Sequence, residues 1–163
     1  MSGPTLMVLV RRLGRECLRQ GASVSVAESC TGGGLAAAIT SVPGSSAYFD
    51  RGFVTYSNEA KQELLGVSPR ALARFGAVSE ETARAMALGV LKQSPARLAV
   101  SVTGIAGPGG ATPGKPVGLV WIAWARRRGL VVAREFHFRG GRAAVRRQAV
   151  AEAIAGLLEV LEK

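Results

Sequence analysis

Helical and strand patterns alternate along this chain, and glycines or prolines mark most of the joints. That alternation limits the possible folds more than any other feature of the sequence. An apolar-periodic helix over Leu6–Gln20 ends at Gly21, a C-terminal stop signal. Ala22–Ala27 reads as a short strand. The run Ser29-Cys30-Thr31-Gly32-Gly33-Gly34 then turns the chain into a helix over Leu35–Ser41, which Pro43-Gly44 closes. Tyr48–Tyr56 reads as the next strand, with the β-rich core Phe53-Val54-Thr55-Tyr56. Ser57 or Asn58 caps a short helix through Leu65, ended by Gly66. Ser68 and Pro69 open another over Pro69–Arg74, with the proline at the first helical position. Ser79 opens a longer helix to Gln93, and Glu80 and Glu81 suit its positive end.

Leu98–Val102 is almost continuously apolar, which marks a strand covered on both faces. The loop Thr103–Lys115 follows. Val117–Ala125 and Leu130–Phe138 flank Arg126-Arg127-Arg128-Gly129, a hairpin signal. A last helix covers Arg142–Leu161. Helices between strands predict an α/β fold: a three-layer α/β/α sandwich with a mixed, mostly parallel sheet of about five strands, one of them antiparallel. The 163 residues suit one domain, residues 1–163, with its own core. Ligands of such sheets gather at the carboxyl ends of the strands. Three unusual loops fall there, at Ser29, Tyr56 and Thr103.

Composition narrows the function classes. No stretch approaches the ~20 apolar residues that cross a bilayer, and Met1–Met7 lacks the charged start and apolar run of a secretion signal. A cytoplasmic location without membrane contact is the expectation. Two cysteines, Cys17 and Cys30, make no disulfide framework, and together with the lone His137 they are too few for a zinc site. The formal charge of +10 invites a nucleic-acid partner. However, only 6% of residues are aromatic and no aromatic-studded basic stripe is visible. The competing reading is an Arg-rich surface around a site for a small anion, with no specific nucleic-acid partner.

The Ser29 turn supports two readings. A hydroxyl on a strand-to-helix turn stands clear of the backbone, and the amides that follow can stabilise negative charge. Those are the parts of a nucleophile with an oxyanion hole. Equally, Ser29 or Thr31 can be an N-cap and the glycines a tight turn. Cys30 has no histidine nearby in sequence to activate it. His137 lies mid-strand between Phe136 and Phe138, where a surface or core role suits it. A lysine is then the natural base, and Lys61 is the best placed, near the positive end of the helix after Tyr56. That end is expected to lower its pKa.

Thr103-Gly104-Ile105-Ala106-Gly107-Pro108-Gly109-Gly110 can bind a phosphate through backbone amides. The spacing from Gly109 to Lys115 resembles a nucleotide-triphosphate loop, but Pro116 replaces the Ser or Thr and leads into a strand, so that reading fails. Arg139, Arg142, Arg146 and Arg147 cluster at the start of the last helix. Arg142 and Arg146 share a face and suit a phosphate, or else form a solvated basic face.

Val26-Ala27-Glu28-Ser29-Cys30-Thr31-Gly32-Gly33, Thr55-Tyr56-Ser57-Asn58-Glu59-Ala60-Lys61, Gly76-Ala77-Val78-Ser79-Glu80-Glu81, Val102–Gly110 and Lys115-Pro116-Val117-Gly118 together resemble the CinA C-terminal domain family. The resemblance covers about Gly14–Leu161. It implies hydrolysis of the carboxamide of nicotinamide mononucleotide to nicotinate mononucleotide and ammonia, in pyridine-nucleotide salvage, with no cofactor and no metal. It makes Ser29 the nucleophile, Lys61 the base and Tyr56 a proton relay or orienting group. Amides of Cys30, Thr31, Gly32 and Gly33 are expected to hold the oxyanion. Thr103, Gly104, Ala106 and Gly107 are expected to line the site. Arg146 is the first choice for the substrate phosphate and Arg142 the second.

Departures from the family pattern fall at Gly34, Ala111, Gly114 and Gly141. They bear on substrate affinity and leave the chemistry in place. Some members carry an N-terminal molybdopterin-binding-like domain that cleaves ADP-ribose compounds; 163 residues leave no room for it, so that activity is expected to be absent. A homo-oligomer, dimer or higher, is also implied. The alternatives are a nucleotide-binding protein of the same fold without turnover, or a competence-associated accessory protein on DNA.

Overall fold

The computed structural model of the chain describes residues 5–163; of the stretch weighed as a secretion signal, Met1–Pro4 lie outside the described residues. The elements are α1 (Leu6–Gln20), β1 (Val24–Glu28), α2 (Gly34–Thr40), a 3-10 turn at Ser45–Ala47, β2 (Phe49–Val54), α3 (Asn58–Leu65), α4 (Pro69–Phe75), α5 (Glu80–Gln93), β3 (Leu98–Gly104), β4 (Leu119–Arg126), β5 (Val131–His137) and α6 (Arg142–Leu161). The caps lie where the sequence puts them. Gly21 and Gly66 end α1 and α3 in left-handed conformations. Ser57, Ser68 and Ser79 accept the amides of Ala60, Ala71 and Thr82. Strand ends shift by one or two residues. β3 runs on to Gly104 because β4 supplies partners as far as Val120.

The sheet order is β2-β1-β3-β4-β5. β1 lies parallel to β2 and β3, and β4 opposes both of its neighbours. Four strands therefore point one way and β4 alone points back, as the hairpin signal implied. The reversed strand sits inside the sheet rather than at its edge, so parallel and antiparallel pairings are equal in number.

Helices cover both faces, giving three layers. On one side α1, α2 and α6 bury Leu13, Leu35, Ile39, Ile154 and Leu157 against Val24, Val100 and Ile122. On the other, α3, α4 and α5 bury Leu65, Leu72, Met86 and Val90 against Ala27, Ala99 and Ala123. The faces differ in grain. Small alanines on the second let α5 lie close to the sheet, and the first carries branched residues and Trp124. α6 crosses Trp124 at Gly156, where a Cβ would lie 2.1 Å from the indole ring. The indole N–H donates to the Ala153 carbonyl at 2.8 Å. No helix among the described residues is long and apolar enough to cross a membrane.

The register positions the site. Glu28 pairs with Val54 on one side and Val102 on the other. The loops that leave β1, β2 and β3 therefore start level, at one edge of the molecule.

Candidate active site

Ser29 is the first residue beyond β1. Its amide donates to the Val102 carbonyl at 2.9 Å, and the Thr55 amide donates to the Glu28 carbonyl at 2.8 Å. The nucleophile candidate is thus stitched between both neighbouring strands. The Lys61 side chain folds back from α3 toward the end of β2. Its Nζ lies 3.2 Å from Ser29 Oγ, 2.8 Å from the Thr55 carbonyl and 3.3 Å from the Tyr56 carbonyl.

Lys61 is 1% exposed, and burial holds its pKa below the ordinary lysine value of 10.5. Desolvation is the main cause, a contribution that the sequence did not reveal. A neutral amine has two N–H donors and one lone pair. Two carbonyls can take the donors, which leaves the lone pair for the Ser29 hydroxyl.

The capping alternative for Ser29 and Thr31 does not hold. The residue at the α2 N-cap is Gly33, with no side-chain cap bond of its own. The cap comes from Glu28, which is 1% exposed. Its carboxylate accepts from the Leu35 and Ala36 amides at 2.7 and 3.0 Å and from Thr31 Oγ1 at 2.7 Å. Sequence reasoning passed over Glu28; an acid immediately before a Ser-x-Thr-Gly-Gly-Gly turn was the available signal. The turn itself needs glycine at Gly32 and Gly33, whose φ values are +55° and +100°.

The Gly32 amide donates to the Ser29 carbonyl at 3.0 Å. It is committed within the turn, which corrects its assignment to the oxyanion. Among the described residues no backbone carbonyl takes up the amides of Cys30, Thr31 or Gly33. Burial pushes the Cys30 thiol up to about 11, so it is no rival nucleophile at neutral pH.

A cleft of about 350 Å³ opens over Ser29, Lys61 and Thr103. Tyr56, Cys30, Gly104, Ala106, Gly107 and Arg142 also line it, and so do Ala77 and Val78, which the sequence marks as part of the family pattern but not as site residues. Thr103 donates its hydroxyl to the Ala77 carbonyl at 2.8 Å, which ties β3 to the loop before α5. Tyr56 is 60% exposed, and its hydroxyl accepts from Arg142 Nη2 at 3.1 Å. Only its carbonyl reaches Lys61. The phenol thus bonds Arg142 and makes no bond to the Ser29–Lys61 pair that a relay would use.

The two arginines diverge. Arg142 Nη1 donates to the Gly107 carbonyl at 2.9 Å, at the mouth of the cleft. Arg146 Nη2 donates to the Thr31 carbonyl at 3.1 Å, and its side chain lines a second hollow of about 270 Å³ beside Thr31 and Gly34. Thr31, Gly32, Gly33 and Arg146 do not line the cleft itself.

His137 pairs with Glu135 on the exposed edge strand, and Lys115 donates to the Phe75 carbonyl at 2.6 Å. Neither faces Ser29. Among the described residues no three His, Cys, Asp or Glu side chains converge as metal ligands do. Of the departures, Gly34 opens the second hollow and Gly141 leaves α6 without a side-chain cap. Ala111 and Gly114 lie in an exposed turn closed by the Thr112–Lys115 bridge.

The model of the CinA C-terminal domain matches residues 7–161. The nicotinamide-nucleotide amidohydrolase PncC of Escherichia coli K12 is 52% identical over 154 residues, covering 94% of this chain and 93% of the relative. PncC of Pseudomonas putida is 50% identical, with 95% and 96% covered. A CinA-like protein of Akkermansia muciniphila is 49% identical over 89% of this chain but only 35% of its own length. Among solved structures, the competence/damage inducible protein CihA of Agrobacterium tumefaciens superposes with a TM-score of 0.94 at 48% identity, each chain covered completely.

Proposed function

The chain belongs to the CinA C-terminal domain family, and from that premise we propose that it is a nicotinamide-nucleotide amidohydrolase acting on nicotinamide mononucleotide. One observation carries the chemistry: a buried lysine amine 3.2 Å from a serine hydroxyl at the floor of a cleft.

In this reading Lys61 is neutral at work and takes the Ser29 proton as Oγ attacks the carboxamide carbon. The tetrahedral oxyanion lies against the amide of Cys30, the residue after Ser29 that borders the cleft. The lysine then returns the proton to the departing nitrogen, and ammonia leaves an acyl-serine. Water attacks that ester as Lys61 takes one of its protons; Lys61 then passes that proton to the departing Ser29 oxygen, which releases the acid and restores the neutral lysine. The net reaction is one amide and one water to one acid and one ammonia, and no electron transfer is needed.

The phosphate falls to Arg142, which reaches the cleft, rather than to Arg146, which does not. Tyr56 holds the Arg142 guanidinium from the other side of the mouth. Arg forks suit phosphate oxygens.

The test is ammonia release from nicotinamide mononucleotide by the wild type, Ser29→Ala and Lys61→Ala. The expected result is turnover in the wild type and loss of at least about 1000-fold in each variant. Saturable nucleotide binding with no ammonia from the wild type would replace the enzyme by a binding protein.

A further inference from the structure

Thr31 is held at both ends. Its hydroxyl donates to the buried Glu28 carboxylate at 2.7 Å, and its carbonyl accepts from Arg146 at 3.1 Å. The Glu28 carboxylate also takes the first amides of α2, at Leu35 and Ala36. A second negative charge is poorly placed at that helix end, which is already neutralised. The developing oxyanion is left with the amides of the turn itself.

We propose that Glu28 is a positioning residue: by occupying the N-terminus of α2 and gripping Thr31, it fixes the turn that presents the Cys30 amide to the cleft as the oxyanion-binding donor, with Arg146 as the outer clasp. This deepens the amidohydrolase reading and rests on it.

Two observations support the assignment. Glu28 is a charge with 1% exposure, yet it contacts neither the cleft nor Lys61. A plain core position would carry an apolar residue there, since a buried carboxylate is costly unless its bonds are needed. Its backbone serves the same end: the carbonyl accepts the Thr55 amide at 2.8 Å, and the Thr55 carbonyl in turn holds Lys61. One residue therefore sets the distance between base and nucleophile through its main chain and the donor geometry through its side chain. Misplacing reacting groups by about 1 Å costs on the order of 100-fold in rate.

The test uses Glu28→Gln together with Thr31→Val and Thr31→Ser, measured in two ways. Steady-state hydrolysis of nicotinamide mononucleotide should show kcat lowered by about 10- to 100-fold in Glu28→Gln and Thr31→Val, with KM within about threefold of the wild type. Thr31→Ser, which keeps the hydroxyl, should recover most of what Thr31→Val loses.

The second readout is the rate at which a fluorophosphonate labels Ser29, followed by mass spectrometry. There the serine oxygen displaces fluoride and the phosphoryl oxygen needs the same donor amide. Labelling should slow in parallel with kcat, at unchanged circular dichroism. Wild-type kcat and labelling in Glu28→Gln, or losses accounted for by the unfolded fraction, overturn the proposal. If Glu28→Gln does not fold, equal kcat in Thr31→Val and Thr31→Ser overturns it. Absence of ammonia from the wild type, with labelling still slowed in the variants, rejects the substrate and leaves the positioning role standing.

Discussion

The turn after β1 and the loop after β3 are both glycine-rich, and both leave the sheet at the same edge, yet they are built differently. The first is pinned by buried side chains: Glu28, Thr31 and the Ser29–Lys61 pair. The second is held mainly by backbone contacts, and between Gly107 and Gly114 most of it is exposed. Its contact with the last helix is made by its own carbonyl, at Gly107, to Arg142. Under the proposed function the difference separates two tasks. Bond-making chemistry needs groups fixed to a fraction of an ångström, so it lies where polar side chains are locked. Holding a nucleotide tail tolerates a softer frame, and there glycines give backbone close access.

That division can be broken by substitution. The largest effect expected is from the pinned turn: Lys61→Ala should cost at least about 1000-fold in kcat. Ala substitution of Gly109, in the open loop with nothing near its Cβ position, should leave kcat within about threefold. A comparable kcat loss in both would erase the distinction.

Next in size, Arg142→Ala should raise KM by about 10- to 100-fold, or roughly 1.4–2.7 kcal/mol, with a small change in kcat. Arg146→Ala should do the reverse, lowering kcat through the Thr31 carbonyl and leaving KM nearly unchanged. Swapped patterns would move the phosphate to the second hollow.

The pH profile gives a third check. Burial lowers the Lys61 pKa, so kcat/KM should rise with pH along a limb whose midpoint lies below 10.5. The sign for stability follows from linkage. Between the lowered folded value and 10.5 the unfolded chain binds more protons at this lysine, so folding stability contributed by this group rises with pH across that window. Urea titrations of the wild type and Lys61→Met should differ in this slope. Equal slopes would show that the amine is not desolvated.

The smallest effect expected is at the other end of the cleft. Gly141 caps α6 without a side-chain bond and has open space at its Cβ position. Gly141→Asp should stabilise the fold by a few tenths of a kcal/mol, read from thermal denaturation.

Much of the architecture was legible. Ser57, Ser68, Ser79, Gly21 and Gly66 act locally, through bonds within a few residues, so their positions in sequence were enough to place helix ends. The near-continuous apolar run at Leu98–Val102 identified a strand covered on both faces. Ser29 and Lys61 were legible as types, a hydroxyl on a turn and a lysine at a second strand end.

What stayed hidden depends on direction in space. Arg142 and Arg146 are four apart on one helix, and the family pattern favoured Arg146 for the phosphate, but Arg142 lines the cleft and Arg146 lines the second hollow. Glu28 drew no role of its own because its partners lie three, seven and eight residues away, across a turn whose path glycine leaves unspecified.

By itself, then, the sequence determined the alternation of elements, the caps, the strand ends where chemistry gathers and the residue types available for it. These follow from short-range sterics, hydrogen bonding and apolar periodicity. Only the tertiary structure decided that β4 runs inside the sheet, that burial lowers the Lys61 pKa, and that Glu28 rather than a hydroxyl caps α2. Each of those depends on the packing of segments distant in sequence, which sets both the loss of water and the distance between charges.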